Sequence, residues 1–176
     1  MRATNRPTTG ALAVLTAALA LTACGTTTTD SKRDAGLTPC RTAALRWSLT
    51  LAGTDRGAGP AHARLTAVNK GPGSCVFDGY PGLEIHNGKA DSIEGAGHGR
   101  PDPVPLPGKA SLTVDLRYTP RGANGAGGWC VQQPEAVIRA PHDSGAAVVP
   151  VRDAHGKAAQ IDACGDSITL AAPHRS

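Results

Sequence analysis

Five cysteines and six histidines carry most of the covalent and metal-ligating chemistry open to this chain. The cysteines divide by context. Cys24 ends the run Leu21-Thr22-Ala23-Cys24, which closes an apolar stretch from Ala11 to Ala20 that follows Arg2 and Arg6. A basic start, a short apolar middle and small residues before a cut site make a secretory signal peptide. A cysteine as the first residue after the cut is the lipobox arrangement of bacterial lipoproteins. The Cys24 thiol is therefore expected to carry a diacylglyceryl group, with palmitate a natural acyl chain.

Residues 1–23 read as an anchor signal and not as a span. A spanning helix needs roughly 20 predominantly apolar residues, and the polar Gly25-to-Asp34 segment cannot extend the run. Two acyl chains give stable attachment where one gives only marginal binding. The leader has no Arg-Arg pair, which favours export of the unfolded chain over the twin-arginine route.

Cys40, Cys75, Cys130 and Cys164 remain. An even number in an exported domain reads as two disulfides. Three pairings are possible and sequence does not choose among them. Cys40 with Cys75 and Cys130 with Cys164 is preferred, because each pair closes a loop of similar, moderate length. Each bridge should stabilise by ~3–4 kcal/mol, chiefly by restricting the unfolded chain. No Cys-x-x-Cys or Cys/His spacing supports zinc.

The other reactive residues form no catalytic or metal pattern. His62 and His86 fall on predicted strands, and His98, His142, His155 and His174 in predicted loops; none makes a His-x-His or His-x-x-x-His pair. Asp153 and His155 supply two potential ligands, which do not make a site. Gly71-Pro72-Gly73-Ser74 is no nucleophile elbow, since a cysteine follows it in place of a helix. Gly95-Ala96-Gly97-His98-Gly99 lacks the strand, helix and lysine of a phosphate loop and reads as flexible. Asp78 and Glu84 flank the same turn, but paired carboxylates need a cleft that tunes them apart. No enzyme activity, cofactor or metal is expected.

The elements that would position these residues are strands. Gly25 to Thr38 is polar and Thr-rich, a tether of at most ~50 Å. Period-two alternation predicts strands at 45–51 and 62–68, with a turn region at 53–60 between them. Short strands follow at 75–77 and 83–86, with Asn87-Gly88 as a hairpin signal. Residues 89–105 show no periodicity and read as a long exposed loop. Further strands are predicted at 110–118, 130–131, 136–139, 147–151 and 167–171, with a mobile Gly-rich segment at 121–128. In Gly79-Tyr80-Pro81-Gly82, Pro81 is expected to set a turn, Gly82 to take a positive φ, and Tyr80 to pack with its hydroxyl on a backbone group.

Frequent turns and no convincing amphipathic helix predict an all-β fold, an antiparallel β-sandwich of immunoglobulin-like outline with two disulfides. The expected organisation is a signal peptide at 1–23, the lipidated cysteine and tether at 24–38, the sandwich at 39–172 and a flexible tail at 173–176. Basic residues exceed acidic ones by 18 to 14, and Arg2 and Arg6 of that excess lie in the leader. No basic run remains, so nucleic acid is not an expected partner.

Pro39-Cys40, Asn69-Lys70-Gly71, Cys75, Gly79-Tyr80-Pro81-Gly82, Leu106-Pro107-Gly108-Lys109-Ala110, Cys130 and Cys164 occur in one order. That order resembles a domain of unknown function common in secreted proteins and lipoproteins of actinobacteria, over roughly residues 38 to 171. The resemblance implies an exported, disulfide-bonded β domain and brings no catalytic residues. The expected function is a non-catalytic surface lipoprotein, held on the extracellular face of the cell membrane by the bilayer contact of acylated Cys24. Its partner would be an unknown protein or a cell-envelope component, met by the loops at 53–60 and 89–105. The alternative is an envelope carrier for a small ligand or metal ion, and behind that a hydrolase.

Overall fold

Period-two alternation turns one side of each strand inward. In β1 (Leu45–Thr54) Leu45 and Leu49 are buried while Arg46 and Ser48 are exposed. Its antiparallel neighbour β2 (Ala61–Asn69) buries Ala61, Ala63, Leu65 and Ala67, so small side chains face the large ones of β1. A computed structural model describes residues 36–54, 59–88 and 92–176. Within them the chain continues through β3 (Cys75–Phe77), β4 (Gly82–His86), β5 (Ser92–Gly97), β6 (Val104–Leu106) and β7 (Ser111–Pro120). Then come β8 (Cys130–Gln133), β9 (Glu135–Arg139), β10 (Ala147–Arg152), β11 (Ile161–Leu170) and β12 (His174–Arg175). One 3-10 turn at Thr42–Ala44 precedes β1, and the described residues contain no α-helix.

The main sheet closes on itself. Eight strands form a ring in the order β7-β2-β1-β10-β9-β4-β5-β11, completed by pairing of β11 with β7. All neighbours in the ring are antiparallel except at two seams, β1 with β10 and β5 with β11, which are parallel. The seams divide the barrel into two antiparallel four-strand arcs. β12 extends from β7 and β8 from β11, while β3 and β6 make a separate two-stranded sheet. The all-β class and the two disulfides match expectation, but the sheet is mixed and closed, because strands distant in sequence zip the two arcs together.

Register fixes which connections share an end. The proximal end, where β1 begins, holds the β2–β3 and β9–β10 connections, the β3–β6 sheet and the last residues of the chain. The distal end, where β1 finishes, holds the connections β1–β2, β4–β5, β7–β8 and β10–β11. Cys40 bridges Cys75 proximally, and Cys130 bridges Cys164 between paired positions of β8 and β11 distally.

Several expectations need correction. The long loop at 89–105 contains β5 and β6; only 89–91 fall outside the described residues. The flexible Gly95-to-Gly99 reading fails with it, since Gly95 and Gly97 are strand residues. Their missing side chains make room for others: a Cβ on Gly95 would press on Leu83 and Leu170, and one on Gly97 would fall on the Tyr80 ring. The strand expected at 167–171 begins at Ile161. Within the expected tail at 173–176, His174 and Arg175 form β12, paired with Thr113 and Leu112 of β7, and Pro173 is buried. Segment 121–128 forms successive turns around buried Ala126.

Candidate functional site

The expected anchor lies beyond what the structure describes: the leader 1–23, Cys24 and the tether up to residue 35 are outside the described residues. The Gly-Tyr-Pro-Gly turn is a packing device at the proximal end. Tyr80 lies over Gly97 and its hydroxyl donates to the His98 carbonyl at 2.8 Å. The positive φ sits at Gly79 (124°) and not at Gly82, which is already extended and paired with Arg139. Asp78 and Glu84 do not form a pair with each other. Asp78 meets Arg100 at 3.4 Å, and Glu84 meets Arg139 at 3.6 Å.

The histidines are dispersed. His62 is on β2 and His86 ends β4, where its Nδ1 accepts from the Gly88 N–H. His142 occupies a left-handed turn, His155 lies in the turn organised by Asp153, and His174 is on β12, not in a loop. Among the described residues one group of three potential ligands converges, Cys130, Asp162 and Cys164. Its two sulfurs are joined in a disulfide and offer no thiolate to a metal.

One concave feature lies beside an irregularity in β11. Cys164 pairs with Thr119 of β7, and the next pair is Thr169 with Arg117. Four residues of β11, Gly165 to Ile168, thus oppose Tyr118 alone. Gly165, with φ at 90°, starts this bulge, since few side-chain-bearing residues accept that conformation. Ile168 returns to the core while Ser167 and Thr169 stay outside.

The bulge opens a distal cleft of about 320 Å³ lined by Pro60, Arg117, Tyr118, Thr119, Asn124, Ser167 and Thr169. Pro60 brings in the end of the 53–60 connection, whose residues 55–58 lie outside the described set. A shallower depression of about 250 Å³ adjoins along β7, sharing Arg117 and Thr169.

Electrostatically the cleft centres on Arg117. Two nearby carboxylates have partners, Asp115 meeting Arg64 at 3.0 Å and Asp162 taking a two-pronged contact from Arg121 at 2.9 and 3.2 Å, while exposed Asp166 is not part of the lining. Tyr118 is only 7% exposed, and its ionisation is pushed above the ordinary phenol value by burial first and by Asp162 second. It therefore stays a neutral hydroxyl at physiological pH. The lining supplies a guanidinium, an amide and four hydroxyls, a set suited to holding a polar ligand. No hydrogen bond ties Ser167 to a base among the described residues.

Sequence reasoning missed this cleft because it began the strand at Ser167, beyond the glycine. The signal was present in Ile161-Asp162-Ala163-Cys164, which alternates, followed by a glycine and a resumed strand. A glycine inside a strand pattern marks a bulge.

A family model described as a domain of unknown function, DUF4232, matches residues 40–172. No curated protein and no solved structure matches the chain.

Proposed function

The chain belongs to the DUF4232 family of domains of unknown function, and from that premise we propose that it is a lipid-anchored, non-catalytic binding module on the extracellular face of the cell membrane. Signal peptide 1–23 directs export, Cys24 takes the diacylglyceryl group, and residues up to Thr38 tether the domain. The partner is a component of the cell envelope or a protein at its surface. The actinobacterial source implied by the residue order belongs to the same reading.

One observation carries this: the cleft and the point of chain entry are at opposite ends of the barrel. Pro39 bridges to Val76 and Cys40 bonds to Cys75 at the proximal end, whereas the cleft is distal. In this reading the domain is joined to its tether at the end opposite the cleft, so the point of attachment does not obstruct the cleft. The two disulfides suit an oxidising compartment. No helix among the described residues is long and apolar enough to cross a membrane, so attachment in this reading falls to the acyl chains. The finer architectural reading is that of a flattened immunoglobulin-like sandwich. It rests on the two antiparallel arcs, which correspond to two sheets whose edges have joined at the parallel seams.

A small-ligand carrier is the second reading, favoured by the cleft volume, which falls in the range of small-molecule sites. The test of the anchor is metabolic labelling with an alkyne palmitate in a bacterial host that processes lipoproteins, with protease treatment of intact cells. Label on the wild type, its loss in Cys24→Ala, and digestion of the domain from outside are expected. An unlabelled wild type recovered from the soluble fraction would overturn the anchor.

A further inference from the structure

The cleft-lining polar side chains are not engaged with other side chains among the described residues. Buried Asn69 donates to three carbonyls and accepts from Gly71, and Thr42 and Tyr80 are likewise bonded. By contrast, no side-chain hydrogen bond or ion pair involves Arg117, Tyr118, Thr119, Asn124, Ser167 or Thr169 among the described residues. Tyr118 is the most telling of these. It is more than nine-tenths buried, yet its hydroxyl has no partner and is not sealed from solvent. A hydroxyl open to solvent carries no penalty for an unmade bond, so it is not committed to the fold and can exchange water for a ligand group.

We propose that the distal cleft binds an oxyanion carried on a polyhydroxylated ligand, with Arg117 as the charged anchor and the surrounding hydroxyls and Asn124 amide as further donors. The proposal rests on the binding-module reading above and assigns its ligand class. Guanidinium-to-oxyanion contacts are charge-assisted and about twice as strong as neutral hydrogen bonds. Here the only formal charge in the lining is positive, since Asp162 is neutralised by Arg121 and exposed Asp166 is not part of the wall. The ring hydroxyls of a sugar or polyol match the mixed donors and acceptors of Thr119, Asn124, Ser167 and Thr169. Two sources share this chemistry, the carboxylate of an acidic sugar and the phosphate of a polyol phosphate.

Calorimetric titration of the full exported chain, purified in detergent, with glucuronate, glycerol phosphate, inorganic phosphate and glucose separates these sources. Saturable binding of an oxyanion probe is expected, with glucose at least tenfold weaker. Tighter glucuronate assigns a carboxylate source, and tighter glycerol phosphate a phosphate source. Arg117→Ala should weaken binding at least tenfold and Ser167→Ala about threefold, while Arg46→Ala, on β1 outside the cleft, changes nothing. Melting temperatures confirm that each variant is folded. Glucose binding as well as glucuronate, without dependence on Arg117, overturns the oxyanion assignment and leaves the cleft as a binding site. Binding of no probe, or equal loss in Arg46→Ala, overturns the assignment as well. Absent palmitate labelling would strike the anchor alone, because the purified chain binds in solution whether or not it is acylated.

Discussion

The two ends of this barrel treat their polar side chains differently. Proximally, Asn69 bonds the carbonyls of Gly73, Leu106 and Pro107 and the N–H of Gly71, which knits the β2–β3 and β6–β7 connections together. Thr42 accepts from the Ala140 N–H and donates to the Gly145 carbonyl, while Asp143 accepts the Thr42 N–H at 2.7 Å and pairs with Arg41. Trp47 donates to the Thr42 carbonyl and packs against Phe77 with ring centroids 6.2 Å apart. Distally the side-chain fasteners among the described residues are the Cys130–Cys164 bridge, the Arg121–Asp162 pair, Asp153 accepting the His155 and Lys157 N–H groups, and His86 accepting from Gly88. The same end holds a cleft whose hydroxyls make no side-chain hydrogen bond among the described residues and a Trp129 left 40% exposed. Both ends carry one disulfide, so the contrast is in hydrogen bonding. A binding surface needs donors not already committed to the fold, and among the described residues the distal cleft presents such a group.

The largest test of this contrast removes the disulfides. The cysteines of the two bridges are 35 and 34 residues apart, so chain entropy assigns each about 4 kcal/mol. Cys40→Ala/Cys75→Ala and Cys130→Ala/Cys164→Ala should therefore lose similar stability in urea titrations. Hydrogen exchange should separate them. Loss of the distal bridge should accelerate exchange in β8 and in Ile161–Cys164 selectively, because those are the segments it joins. Unchanged distal exchange would show that the end is held by something other than its disulfide.

Next in size is the pair Asn69→Ala and Asn124→Ala. The first strands buried backbone groups and should cost about 2–3 kcal/mol, whereas the second should stay within about 0.5 kcal/mol. Equal losses would abolish the distinction between the ends.

Acid adds a third measurement. The Asp143 carboxyl is held down to about 2, from an ordinary value of 3.8, chiefly by the Thr42 N–H, then by the Thr42 hydroxyl, the Gly145 N–H and Arg41. A depressed carboxyl stabilises the fold above its unfolded value and loses that contribution as pH falls toward the folded one. Melting temperature of the wild type should thus drop faster between pH 4 and 2 than that of Asp143→Asn. Parallel profiles would remove Asp143 from the set of proximal fasteners.

The smallest effect comes from the two tyrosines. Tyr80→Phe gives up the bond to the His98 carbonyl and should cost about 1 kcal/mol. Tyr118→Phe removes a hydroxyl with no partner and should leave stability unchanged to within about 0.5 kcal/mol. A larger loss at Tyr118 than at Tyr80 would mean that the distal hydroxyl serves the fold.

How far the sequence could be read depended on how local the signal was. β1, β2 and β7 alternate over ten, nine and ten residues, and each was predicted within three residues of its ends. β5 was invisible because its inward positions are Ile93, Gly95 and Gly97. The volume that a strand residue normally fills is supplied there by Tyr80, Leu83 and Leu170, which are remote in sequence. β6 was obscured by Pro105, acceptable because this strand has β3 as its one partner. Of the cleft, the sequence marked the 53–60 connection that supplies Pro60, while Arg117 and Thr119 sat unremarked within a predicted strand.

By itself, then, the sequence determined the all-β class, most of the strands and the even set of four cysteines in the domain. Side-chain alternation and cysteine number are properties of neighbouring or countable residues. Closure of the sheet was decided only in three dimensions. The seams join β1 to β10 and β5 to β11, strands separated by long stretches of chain and related by no local pattern. The same holds for the cleft. It exists because β11 must turn from β8 toward β5 while still paired with β7, and Gly165 to Ile168 take up the mismatch.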